Sequence, residues 1–156
     1  MRVIEQLGRL SDERFLDIYQ TLETQGFGPL DGEVAKRLKF RPQAIKKLPM
    51  AQRAKHARSI LERGAQADLA YELFGSYLMR KNRELITDFL DATGVPHQDG
   101  MIGDTTQDRP DKDKLADAIQ QLDGKYPAED VTLYLSLCAE QWPDVPELES
   151  LWQLRP

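Results

Sequence analysis

Leu69, Leu73, Phe74, Tyr77, Leu78, Leu85, Ile86, Phe89 and Leu90 keep one helical phase from Ala65 to Thr93. Recurrence at three and four residues marks one face of an α-helix, whereas a strand alternates its faces every second residue. A polar run, Arg80-Lys81-Asn82-Arg83-Glu84, interrupts the phase. It predicts two helices meeting near Asn82, with one bent helix as the alternative. Gly94 and Pro96 end the stretch, because glycine adopts the left-handed stop and proline cannot continue a helix.

Helical punctuation also organises the rest. Ser11 is a good N-cap, and Asp12 and Glu13 favour the positive end of the helix dipole. Phe15, Leu16, Ile18, Tyr19 and Leu22 follow at helical spacing, up to a stop at Gly26. Asp31 opens a short helix to about Lys39, and Pro42 opens another that Pro49 stops. Met50 to Arg63 is rich in strong helix formers, with Gly64 as its terminus. Residues 95–110 read as a polar loop. A helix from Asp111 to about Asp123 carries Leu115, Ala118, Ile119 and Leu122 on one face. Pro127-Ala128-Glu129-Asp130 is a helix start, with proline early and acids in the first turn. Val145, Leu148, Leu151 and Trp152 form a short last helix.

Val131 to Cys138 is ambiguous. Val131, Leu133, Leu135 and Leu137 alternate as in a strand, yet Val131, Tyr134, Leu135 and Cys138 share a helical face. The start signal favours helix, and a lone strand would leave its backbone hydrogen bonds unmade. A helix apolar nearly all round belongs in the interior. The expected fold is therefore all-α, a compact helical bundle of about seven to nine helices.

The chemistry-bearing residues are few. Two histidines, His56 and His97, and one cysteine, Cys138, cannot furnish a structural zinc site. Asp99, Asp104, Asp108, Asp111 and Asp113 lack the calcium-loop pattern and read as a solvated loop that caps the next helix. His97 could pair with Asp99 as acid and base. Cys138 lies on a face expected to be buried, and Gly75-Ser76 sits inside a helix, not on a nucleophile elbow. There is no glycine-rich phosphate loop. No catalytic residue, cofactor or metal is expected. A lone thiol suits a reducing compartment, and Met1-Arg2-Val3-Ile4-Glu5 places charge where a signal peptide is apolar. No stretch approaches the roughly 20 apolar residues of a membrane span. The expectation is a cytoplasmic protein that does not enter a membrane.

Charge is distributed unevenly. Between Lys36 and Arg63 ten basic residues face only Glu62, for a net +9, while the remaining 11 basic and 25 acidic residues give −14. Such segregation marks an interaction surface or a neutralising internal contact. The charge switch at Gly64 suggests one helical domain over 1–156, with a basic subdomain at 1–63 beside a helical core at 65–156.

Val34 to Leu48 resembles the helix-turn-helix of bacterial repressor-like proteins. Val34 and Ala35 match the opening of its first helix, Leu38 its closing apolar position, and Phe40 the apolar turn residue. Ile45 and Leu48 match the inward face of its recognition helix. Lys39 stands where that family usually has glycine. The resemblance implies that Arg41, Gln43, Ala44, Lys46 and Lys47 face a DNA major groove or its phosphates. Read as charges alone, Lys36, Arg37, Arg41, Gln43, Lys46, Lys47, Arg53, Lys55 and Arg58 form a contact surface for nucleic acid or an acidic partner. The leading expectation is a non-catalytic binding or adaptor protein with a macromolecular partner, and the alternative is a DNA-binding regulator using residues 33–48.

Overall fold

A computed structural model of the chain describes residues 2–23, 47–63, 67–103 and 108–156. The protein is all-α, with eight α-helices among the described residues: α1 Arg2–Arg9, α2 Asp12–Glu23, α3 Met50–Glu62, α4 Ala67–Lys81, α5 Arg83–Thr93, α6 Leu115–Lys125, α7 Ala128–Gln141 and α8 Pro146–Gln153. A single 3-10 turn, Lys112–Lys114, leads into α6. The short helices expected near Asp31 and Pro42, and the stops at Gly26 and Gly64, lie outside the described residues. None of the described helices is long and apolar enough to cross a membrane.

The local signals act as their chemistry requires. Ser11 Oγ accepts the Arg14 amide at 3.1 Å and so caps α2. The phase break at Asn82 separates α4 from α5, and Asn82 itself leaves helical geometry at φ −140°. Asn82 Nδ2 donates to Asp130 in the first turn of α7, which pins the corner to the interior. Gly94 takes φ +79°, and the Val95 amide reaches back to the Leu90 carbonyl at 2.9 Å. With the longer bond from the Gly94 amide to the Asp91 carbonyl, this is a Schellman stop. Pro49 starts α3: its carbonyl accepts the Gln52 and Arg53 amides at the head of that helix. Helix α1 is the element the sequence hid. It carries Gly8 inside, yet Val3 and Leu7 bury one face.

The chain forms two units, one over Val3–Tyr77 and one over Leu78–Pro156. The boundary falls within α4. In the first unit α2 packs along α3, burying Phe15, Ile18, Leu22, Ala57 and Leu61. In the second, α7 is central: every residue from Asp130 to Ala139 is buried. The ambiguous Val131–Cys138 segment is thus helical, and it alternates and repeats at once because all its faces are covered. Helix α8 packs on α7. Arg155, just beyond it, closes the end with a fork on Asp123, Nη1 to Oδ2 at 2.8 Å, and donates from Nε to Thr132 Oγ1 at 2.7 Å.

Candidate functional site

The basic segment was the strongest lead, and α3 shows how the fold sorts it. The inward face of α3 is Arg53, Ala54, Ala57, Ile60 and Leu61. Arg53 is 5% exposed. Its Nη1 donates to Glu23 Oε1 at 2.8 Å, and its Nη2 reaches Met50 Sδ. Arg58 lies over the Phe15 ring, 5.7 Å from the centroid. Its Nη2 donates to the Leu7 and Leu10 carbonyls at 2.9 and 2.7 Å, Nη1 to Asp12 and Nε to Glu62. A guanidinium there adds a donor to the Leu7 carbonyl, which also accepts the Leu10 amide at 3.2 Å, bonds the Leu10 carbonyl just beyond α1, and sits at the negative end of that helix's dipole.

Two of the nine expected contact residues are therefore internal. Arg53 is withdrawn by burial and pairing, and Arg58 by its service as the cap of α1. Lys47 and Lys55 are exposed, as is Arg63, and none of the three makes an ion pair among the described residues. Lys36, Arg37, Arg41, Gln43 and Lys46 lie outside the described residues. So does the helix-turn-helix-like stretch, apart from Lys47 and Leu48.

Arg58→Ala should destabilise the chain by about 2–3 kcal/mol, since hydrogen bonds from a charged donor are worth about 1.5–3 kcal/mol net. Arg58→Lys should recover less than half of that, because a point charge cannot span both carbonyls and two carboxylates. Urea denaturation followed by far-ultraviolet circular dichroism checks both. A loss below about 0.5 kcal/mol, the ordinary surface range, would refute the capping role.

In the second unit, His97 does not pair with Asp99. Its Nε2 meets Asp91 Oδ1 at 2.7 Å, while its Nδ1 accepts the Gly100 amide at 3.0 Å. That acceptor role leaves the proton on Nε2, directed at Asp91. The histidine closes a tight turn in which Gln98 and Met101 exchange hydrogen bonds at 2.9 Å. Asp99 and Gly100 both have positive φ, at 52° and 87°, the signature of a type I′ turn. A Cβ on Gly100 would also meet Ile86 Cγ2 at 3.3 Å, a tight contact added to the positive φ that favours glycine there. Asp111 accepts the Asp113 amide and caps the 3-10 turn, as a loop aspartate is expected to do. The described residues contain no cluster of three or more side chains fit to hold a metal ion.

Two shallow grooves mark the surface of this unit. One, of about 440 Å³, runs between α5 and α6 over Ala92, Ala118 and Leu122, edged by Asp88, Asp91, Gln121 and Lys125. The other, of about 360 Å³, lies beside Arg109 and Asp144. The carboxylates at the first groove are already engaged: Asp91 with His97, and Asp88 with the Tyr126 hydroxyl at 2.6 Å and Lys125 Nζ at 2.9 Å. The hydrogen bond from Tyr126, then that from Lys125, holds the Asp88 carboxyl below its ordinary range. These partners, almost 40 residues from Asp88 in sequence, carried no local signal. Cys138 is buried, and burial pushes its thiol far above the usual range, so it packs as a small apolar group.

A carboxyl whose folded value is lowered adds stability above its unfolded titration, and that contribution disappears as acid protonates it. Wild type should therefore be more stable than Asp88→Asn near neutral pH. The difference should shrink as pH falls through and below the ordinary carboxylate range. Parallel urea titrations across pH 3 to 7 would measure it, and a pH-independent difference would refute the assignment.

Comparison with protein-family models, curated proteins and solved structures finds no match to this chain.

Proposed function

We propose that this chain is a non-catalytic binding or adaptor protein that recognises an anionic macromolecular partner through the solvent-facing part of its basic segment. The observation that carries the reading is the sorting of cations on and beside α3. Arg53 turns inward to Glu23 and Arg58 is held on the end of α1 and the exposed Asp12, whereas Lys47, Lys55 and Arg63 remain exposed and outside ion pairs among the described residues. Among the described residues, internal pairing takes up Arg53 and Arg58 and leaves Lys47, Lys55 and Arg63 to face a partner. Lysine suits this role, because its aliphatic stem lies along the surface while the ammonium stays in water.

Retention on heparin is the direct test. The full chain should be retained, and the triple reversal Lys46→Glu, Lys47→Glu and Lys55→Glu should elute at markedly lower salt. Arg53 is excluded from this set because reversing it would unfold the α2–α3 pair. Unchanged retention would overturn the reading. The DNA-regulator alternative rests on the resemblance at 33–48. It calls for a sequence preference in a gel shift that is lost when Gln43 and Lys46 are substituted.

A further inference from the structure

The second unit is acidic, yet it presents one contiguous group of cations. Residues 84–156 contain 5 basic and 16 acidic side chains, whereas Arg80, Lys81 and Arg83 stand within four positions with no acid between them. All three are exposed. None forms an ion pair among the described residues, while Arg109, Lys125 and Arg155 of the same unit are bound to Asp144, Asp88 and Asp123. The corner that carries them is held firmly. The Asn82 amide donates to the Leu78 carbonyl at 2.8 Å, the Leu85 amide to the Asn82 carbonyl at 3.0 Å, and the Asn82 side chain to the buried Asp130. A contact set on helix ends locked to the core loses little freedom on binding.

The placement also goes against the stability of α5. Arg80 and Lys81 suit the C-terminal end of α4, but Arg83 is the first residue of α5, where the dipole disfavours a cation. Its Nε makes only a long contact to the Met79 carbonyl at 3.4 Å. Helix stability therefore explains two of these charges and not the third, and an anion brought from outside would complement all three.

We propose that Arg80, Lys81 and Arg83 form a docking corner for a short acidic segment of a partner protein. Nucleic acid fits less well. A duplex carries a charge about every 1.7 Å and is held through some 6–10 phosphate contacts. Three cations cannot supply these, and the acidic remainder of the unit would repel the strand on either side. A few carboxylates reaching only the corner meet less opposition, from Glu84 and the Asn82-bound Asp130 alone among its immediate neighbours in the chain and its hydrogen bonds, because screening confines the wider field to about 8 Å at physiological salt. The corner adds a second surface to the binding function proposed above, and its test separates the two.

The experiment measures binding of a fluorescein-labelled hexaglutamate peptide to the full chain by anisotropy. Arg80→Gln/Lys81→Gln/Arg83→Gln is compared with Lys47→Gln/Lys55→Gln and with Lys112→Gln/Lys114→Gln. Circular dichroism confirms that each variant is folded, and exposed surface changes of this kind seldom disturb folding. The corner variant should weaken peptide binding by about tenfold or more at low salt, with both controls within about twofold, the fall expected when several charge contacts are lost together. No measurable binding to the wild type overturns the proposal. So does a loss confined to Lys47→Gln/Lys55→Gln, which leaves the basic-segment reading standing. Tighter binding of a 12-base-pair duplex through the same three residues would overturn it in favour of nucleic acid.

Discussion

Trp152→Ala is expected to destabilise the Leu78–Pro156 unit by about 4 kcal/mol, the usual cost of deleting a buried aromatic side chain. Trp152 is fully buried, with Leu148 beside it on the inward face of α8. From sequence, Leu148, Leu151 and Trp152 could also have served as a helix that inserts into a partner's groove. The structure docks them on α7. The chain has two tryptophans, and Trp142 is also buried in this unit. Urea unfolding of Trp152→Ala can thus be followed by the fluorescence of Trp142. A loss below about 1 kcal/mol, well short of a core truncation, would mean that α8 does not hold the core and would revive the partner-helix reading.

Glu23→Ala should cost about 3–5 kcal/mol, because it strands the buried Arg53 guanidinium without its counter-charge. The side chains of Arg53 and Glu23 are 6% and 15% exposed. Arg53 Nε is buried with no hydrogen-bond partner among the described residues, which makes loss of the carboxylate harder to absorb. Replacing both residues by apolar ones of similar size, Arg53→Met with Glu23→Leu, should recover most of the loss, since a packed apolar pair avoids desolvating two ions. Hydrogen exchange at the amides of α2 and α3 would place the effect in the first unit. If the double substitution proved as damaging as Glu23→Ala alone, the pair would be contributing more than charge balance. That would overturn this account.

Much of the fold was legible because it is written locally. Ser11, Asn82, Gly94 and Pro127 set helix ends through their own backbone geometry and hydrogen bonds with near neighbours, so each could be read without knowing the rest of the chain. Helix α1 was missed because burial of Val3 and Leu7, which no local pattern announces, stabilises it.

The basic segment was read least well, for a definite reason. Arg53, Lys55 and Arg58 look alike as sequence. Arg53 falls on the face of α3 turned to α2. Arg58 falls at the edge of that face, where a long side chain reaches the end of α1 across 48 residues of chain. Lys55 falls on the opposite face. The order of residues alone determined that this protein is helical, where several of its helices begin and end, and that its cations are segregated. Only the tertiary structure decided which cations are internal and which face solvent, because a guanidinium is buried only where distant carbonyls and carboxylates converge on it, and no local pattern encodes that convergence.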